Sequence, residues 1–195
     1  MAACCLVTGR VDVLWRCAEL RSTEHFSLEE VDGAWVLSGD ASLLVDGIPG
    51  HVGYRVAVSA DWVVDRALID FAIGGRHRVL EIMHAQGAWT VDGIRRPDLA
   101  GCTDVDLGWT PSTNTVPLRR LSSDIGERRE VRAAWVRFPE LDVQATEQYY
   151  TRLASDRWRY QAGPYEFVLV VSEEGLVLEY GDDLWRADAV VRTQG

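Results

Sequence analysis

Between Gly101 and Leu121 the chain reads Gly-Cys-Thr-Asp-Val-Asp-Leu-Gly-Trp-Thr-Pro-Ser-Thr-Asn-Thr-Val-Pro-Leu-Arg-Arg-Leu. No other stretch gathers so many groups able to do chemistry. Asp104 and Asp106 stand two apart in a strand-like run, so both carboxylates project from one face. A carboxylate pair serves general acid–base or glycosidic chemistry. The same pair also fits a solvated strand face, or acceptors for Arg119 and Arg120. No His or third acid lies beside it in sequence to complete a catalytic set. Pro111 and Pro117 fix φ at both ends of a Ser/Thr/Asn run. Such side chains either bond their own backbone and hold an irregular turn, or form a hydroxyl- and amide-lined rim for a sugar or phosphate head. In the second case Trp109 is an exposed stacking face and an Arg is the anion fork.

Read as strand residues, Arg119 and Arg120 face opposite ways, so only one can enter a given hollow. The other is predicted to meet Asp104 or Asp106. In Val131-Arg-Ala-Ala-Trp-Val-Arg-Phe-Pro-Glu-Leu141, alternation puts Arg132 and Arg137 on opposite faces. The candidate binding set is therefore Trp109, Asn114, Arg119 and Arg120, with Arg132 or Arg137 on an adjoining strand.

Composition narrows the partners. All twenty basic residues are Arg, and the net charge is −10. That balance argues against nucleic acid and anionic membrane surfaces, which are polyanions. Any anion site must be built from guanidinium groups. Cys4, Cys5, Cys17 and Cys102 lack metal-ligand spacing. His25, His51, His77 and His84 are scattered, so neither metal nor cofactor is expected. Neither a Gly-x-Ser-x-Gly elbow nor a phosphate loop occurs. Met1–Thr8 lacks the basic region and length of a signal peptide, and no apolar run approaches the roughly 20 residues that span a bilayer. A soluble, cytoplasmic protein is predicted, without integral membrane association.

The elements that would position these groups are strands. Alternating and β-branched runs are broken by Asp32-Gly33, Asp46-Gly47, Gly74-Gly75, Gln86-Gly87 and Asp92-Gly93, the dipeptides of tight hairpins. No helical stripe persists beyond two turns. Roughly a dozen strands are too many for a flat sheet, so the predicted fold is all-β: a strongly curved antiparallel sheet or an incompletely closed β-barrel. One domain spans residues 1–195. Within it Trp15, Thr23-Glu-His-Phe26, Trp35 and Ser59 recur in order as Trp135, Thr146-Glu-Gln-Tyr149, Trp158 and Ser172. These marks predict an internal duplication, with halves of about 11–71 and 132–185 and a distinct middle segment 72–131. Trp15, Trp35, Trp135 and Trp158 are expected in the core.

The stretch from Gly101 to Leu121, the segment from Val131 to Leu141 and Tyr150-Thr-Arg-Leu153 resemble the bacterial putative glycolipid-binding proteins, over about Trp15 to Trp185. The resemblance implies a fold similar to the periplasmic lipoprotein carriers, whose bent sheet wraps an apolar cavity that holds acyl chains. It implies a non-enzymatic binder of a lipid or other amphiphile, and assigns no role to an individual residue. Two further readings stay open. One is an enzyme on a small metabolite using Asp104 or Asp106 with Arg119. The other is a structural interaction module with a packed interior. The nature of the hollow separates the three.

Overall fold

Five two-residue turns organise the first half of the chain. At Asp32-Gly33, Asp46-Gly47, Gly74-Gly75, Gln86-Gly87 and Asp92-Gly93 both residues take positive φ in the computed structural model, which describes residues 9–193. That is the type I′ geometry whose twist matches the flanking strands. These turns join β2 (Ser22–Val31), β3 (Ala34–Val45), β4 (Ile48–Val58), β5 (Val64–Ile73), β6 (Arg76–Ala85), β7 (Ala88–Val91) and β8 (Ile94–Arg95), β4 and β5 being linked by a longer loop; β1 (Arg10–Cys17) precedes them. After β9 (Asp104–Leu107) come β10 (Arg128–Val136), β11 (Val143–Arg152), β12 (Arg157–Ala162), β13 (Tyr165–Val171), β14 (Val177–Tyr180) and β15 (Trp185–Thr193). The helices α1 (Thr115–Arg120) and α2 (Gly181–Leu184) are short.

All fifteen strands form one curved sheet, with β8 and β9 as its edges and β1 paired to β15 in the middle. The sheet is strongly curved and not closed into a barrel, in line with the predicted all-β fold. β9 comes alongside β5 without joining it by a ladder. Every pairing is antiparallel except β9 with β10. The β1–β15 pair joins residues 10–17 to residues 185–193. No local turn marks that contact, which lies between residues far apart in sequence. The reading of Met1–Thr8, Cys4 and Cys5 falls outside the described residues.

Alternation sets the inner face. Along β1, Val11, Val13, Trp15 and Cys17 are buried while Arg10, Leu14 and Arg16 are exposed. The main core lies inside β1–β7 and includes Leu99, Val105, Leu107, Trp109 and Val116 of the middle segment. A second, smaller core lies on the inner face of β10–β14, around Tyr150, Trp158, Tyr160 and Leu169, with Leu118 reaching it from α1. Trp15, Trp35 and Trp158 are buried as predicted. Trp135 is only half-buried, because its side of β10 opens on a groove. The proposed duplication meets a register difference at the same hairpin. Trp15 lies opposite Glu24, whereas Trp135 lies opposite Gln144. Glu24 is buried, while Glu147 is exposed and lies opposite Arg132.

Candidate functional site

The segment after β9 turns inward. Gly108 permits this, since a Cβ there would lie 2.9 Å from Trp135 Nε1 and 3.0 Å from the carbonyl oxygen of Val136. Pro111 then starts a 3₁₀ turn, Ser112–Asn114, that runs into α1. Pro117 falls in the first turn of α1, where its fixed φ suits a helix and its missing N–H costs no bond. The predicted irregular loop and the strand reading of Arg119-Arg120 are therefore corrected to a short helical plug. Ser112 to Leu118 are all buried. Trp109 is 1% exposed, against the predicted stacking face. Its ring packs edge-on to Tyr54 and 5.6 Å from Phe138.

A polar run can be buried only if its groups find partners, and the two sheet halves supply them. Thr110 Oγ1 donates to Glu24 Oε1 at 2.9 Å and accepts from the Ser112 amide at 3.1 Å. Tyr54 also donates its hydroxyl to Glu24. Asn114 Nδ2 donates to the Tyr150 hydroxyl at 2.8 Å, and the Leu107 amide donates to Thr113 Oγ1 at 3.2 Å. Burial pushes Glu24 up to about 7, against the pull of its bonds from Tyr54 and Thr110. Glu24 Oε2 has no hydrogen-bond partner among the described residues.

The Arg pair closes the plug. Arg120 donates to the Trp62 carbonyl at 2.6 Å and grips Asp104 with both terminal nitrogens, one at 2.9 Å from Oδ1. This is the predicted arginine–aspartate pairing. The Arg119 guanidinium lies 4.5 Å from the Trp62 ring centroid and 5.1 Å from that of Trp35. It also donates to the Glu174 carbonyl at 2.7 Å. Stacked indoles thus receive a cation across the trough.

The hollow is a groove of about 410 Å³ on the inner face of the second half. Leu20, Phe138, Phe167, Tyr180, Leu184 and Trp185 give it apolar and aromatic walls. Asp106, Asn114, Thr146, Gln148 and Tyr160 give it one polar end. Those polar groups form a chain. Asn114 donates to Tyr150, whose hydroxyl lies 3.5 Å from Gln148 Oε1. Gln148 Nε2 and the Tyr160 hydroxyl, the latter at 3.2 Å, both donate to Asp106 Oδ2. Burial raises Asp106 to about 6, opposed by these two bonds, with neighbouring Asp104 adding a smaller upward push. Burial and the Asp106 charge hold the Tyr150, Tyr160 and Tyr180 hydroxyls protonated well above the usual range.

Of the six predicted site residues, Asn114 alone lines this groove. Trp109, Arg119 and Arg120 belong to the plug. Arg132 is exposed and lines a neighbouring depression with Arg128 and Tyr149, which shares Thr146, Ala162 and Gly163 with the groove. Arg137 is exposed, 3.7 Å from Asp142. The predicted single pocket is therefore not assembled, because α1 carries its Arg pair to the opposite side. Gln148, Tyr150, Tyr160 and Glu24 were missed. The available signal was parity: each stands at an inward position of an alternating strand.

A family described as putative glycolipid-binding matches residues 12–186. The crystal structure of a DUF1089 family protein from Pseudomonas aeruginosa superposes with a TM-score of 0.74 at 30% identity. The match covers 83% of this chain and 89% of that one. No functionally curated protein matches. The chain belongs to the putative glycolipid-binding family.

Proposed function

We propose that this member of the putative glycolipid-binding family holds an amphiphile in the groove of its second half. The apolar part would lie among Leu20, Phe138, Phe167 and Leu184, and the polar end on the Asp106 chain. The observation that carries the reading is this juxtaposition of apolar walls and a few convergent polar groups. The groove's volume falls in the range of small-molecule sites, roughly 300–1,000 Å³.

Four features refine it. No Arg lines the groove among the described residues, so the anion fork predicted from the Arg pair has no counterpart here. Binding without turnover fits the separation of the groups the catalytic alternative requires. Asp104 is engaged by Arg120 and Arg119 lies on Trp62, which leaves Asp106 with uncharged hydrogen-bond partners. No described helix is long and apolar enough to cross a membrane. A cytoplasmic setting belongs to the same proposal and rests on Cys17 and Cys102, both buried and unbridged.

The test is native mass spectrometry of the protein after exposure to a bacterial lipid extract, beside the variant Ala162→Trp. Ala162 lines the groove, so an indole there fills the hollow. The parent is expected to retain an amphiphile in equal stoichiometry and the variant to lose it at unchanged Tm. A parent that retains nothing from any extract, or a variant that binds as the parent does, sinks the reading.

A further inference from the structure

The polar end of the groove is one-sided in its chemistry. Asp106 uses Oδ2 for both Gln148 and Tyr160, and among the described residues no donor reaches Oδ1. Asn114 uses Nδ2 for Tyr150, and likewise no described donor reaches its Oδ1. Both open valences are acceptors. Among the described residues, the charged ones lining the groove are Asp106 and Glu19, both acids. Arg120 is bound to Asp104, which leaves Asp106 with the uncharged donors Gln148 and Tyr160. Asp106 is half-buried, and a carboxylate partly withdrawn from water favours a counter-charge. Beside it stand aromatic rings. Tyr180 lies 6.1 Å from Tyr160 and 4.9 Å from Phe167, centroid to centroid. Aromatic faces attract ammonium groups.

We infer that the groove takes an amphiphile whose head carries a primary amine, with Asp106 as counter-ion, Asn114 Oδ1 as second acceptor and the Tyr180 cluster as an aromatic wall. The assignment rests on the amphiphile reading above and names its head. An ammonium has three donors and no acceptor, which complements these two open acceptors. A neutral sugar would satisfy the acceptors and leave the charge uncompensated. A phosphate would be repelled.

The ionisable neighbours are few. Asp104 stands on the same strand and is held by Arg120 of α1. Tyr150, Tyr160 and Tyr180 face Asp106 from β11, β12 and β14 and stay protonated. Glu19 lines the groove from the β1–β2 turn. Affinity for an amine should therefore rise with pH through the ionisation of Asp106, near 6.

The experiment is titration of the intact protein with dodecylammonium, dodecyl glucoside and dodecyl phosphate below their micellar concentrations, read by tryptophan fluorescence, since Trp135 and Trp185 line the groove. At about pH 7.5 the ammonium is expected to bind at least about tenfold tighter than the glucoside, and the phosphate weakest. The preference should shrink several-fold at about pH 5, and also in Asp106→Asn. Because the pH series uses the parent protein, a poorly folding variant leaves the test intact. Glucoside or phosphate binding as tightly as ammonium overturns the amine head and leaves the groove reading standing. A preference that survives both low pH and Asp106→Asn overturns the role of Asp106. Failure of all three to bind overturns both readings.

Discussion

The two halves of the sheet each present an inner face, and the two faces are occupied differently. Inside β1–β7 the concave face is filled: Trp109, Val116 and Leu107 pack among Trp15, Phe26, Leu37 and Ile69. Inside β10–β14 the same kind of face keeps a groove, with Trp135 half-buried at its wall. Curvature alone therefore does not make a binding site. The deciding element is the middle segment, which fills one half of the trough and in the other lines the groove without filling it. Each half also holds an inward-facing acid bonded to a tyrosine hydroxyl, Glu24 fully buried and Asp106 half-buried. Glu24 with Tyr54 lies in the filled half and Asp106 with Tyr160 in the open one. The first acid ties the plug to the sheet, and the second lines the cavity.

The sharpest way to break the comparison is to truncate one Trp from each half. Trp109→Ala opens a cavity in a filled core and should cost about 3–5 kcal/mol. Trp135→Ala removes a wall already in contact with solvent and should cost clearly less. Urea denaturation of the two variants measures the difference, and equal losses would mean that both halves are packed alike.

The plug's anchor comes next. Arg120→Ala leaves Asp104, whose side chain is 3% exposed, without its cation. The expected loss is about 3 kcal/mol, the usual consequence of orphaning a buried charge. Arg137→Ala, on an exposed side chain of the same family of charges, should fall within about 0.5 kcal/mol of the parent. Parity between these two variants in thermal melts would show that the plug does not depend on the Asp104 pair.

The last effect appears only when pH changes, and it is the proton held by Glu24. Its carboxyl is raised from the ordinary 4.5 to about 7 by burial. The folded state therefore binds a proton that the unfolded chain has lost. That contribution is fully present below about pH 4.5 and disappears as pH rises through about 7, with a magnitude on the order of 3 kcal/mol at most. Glu24→Gln keeps an acceptor for Tyr54 and Thr110 and removes the titration. Its stability should be flatter than the parent's between about pH 4.5 and 7, and higher at neutral pH. A parent whose stability rises over that interval while the variant stays flat would place an ionised Glu24 in the core.

What the sequence determined by itself is the strand architecture of the first half and the inward parity of its residues. Both are local properties. Asp-Gly and Gly-Gly pairs adopt positive φ wherever they stand between alternating runs, and alternation assigns faces two residues at a time. Trp35 and Trp158 are legible as core on those grounds. The plug is not. A run such as Pro-Ser-Thr-Asn-Thr-Val-Pro reads as a solvated loop, and a six-residue helix is too short to show a period. Its burial depends on partners far away in sequence: Glu24 for Thr110, Tyr150 for Asn114, and Trp62 with Asp104 for Arg120. The pairing of β1 with β15 is equally remote. Tertiary structure alone decided that the densest motif became an internal strut and that Asn114, Asp106 and Gln148 came together at a groove. Hydrogen-bond demand follows from residue type, whereas which distant group meets that demand follows from how the sheet curls.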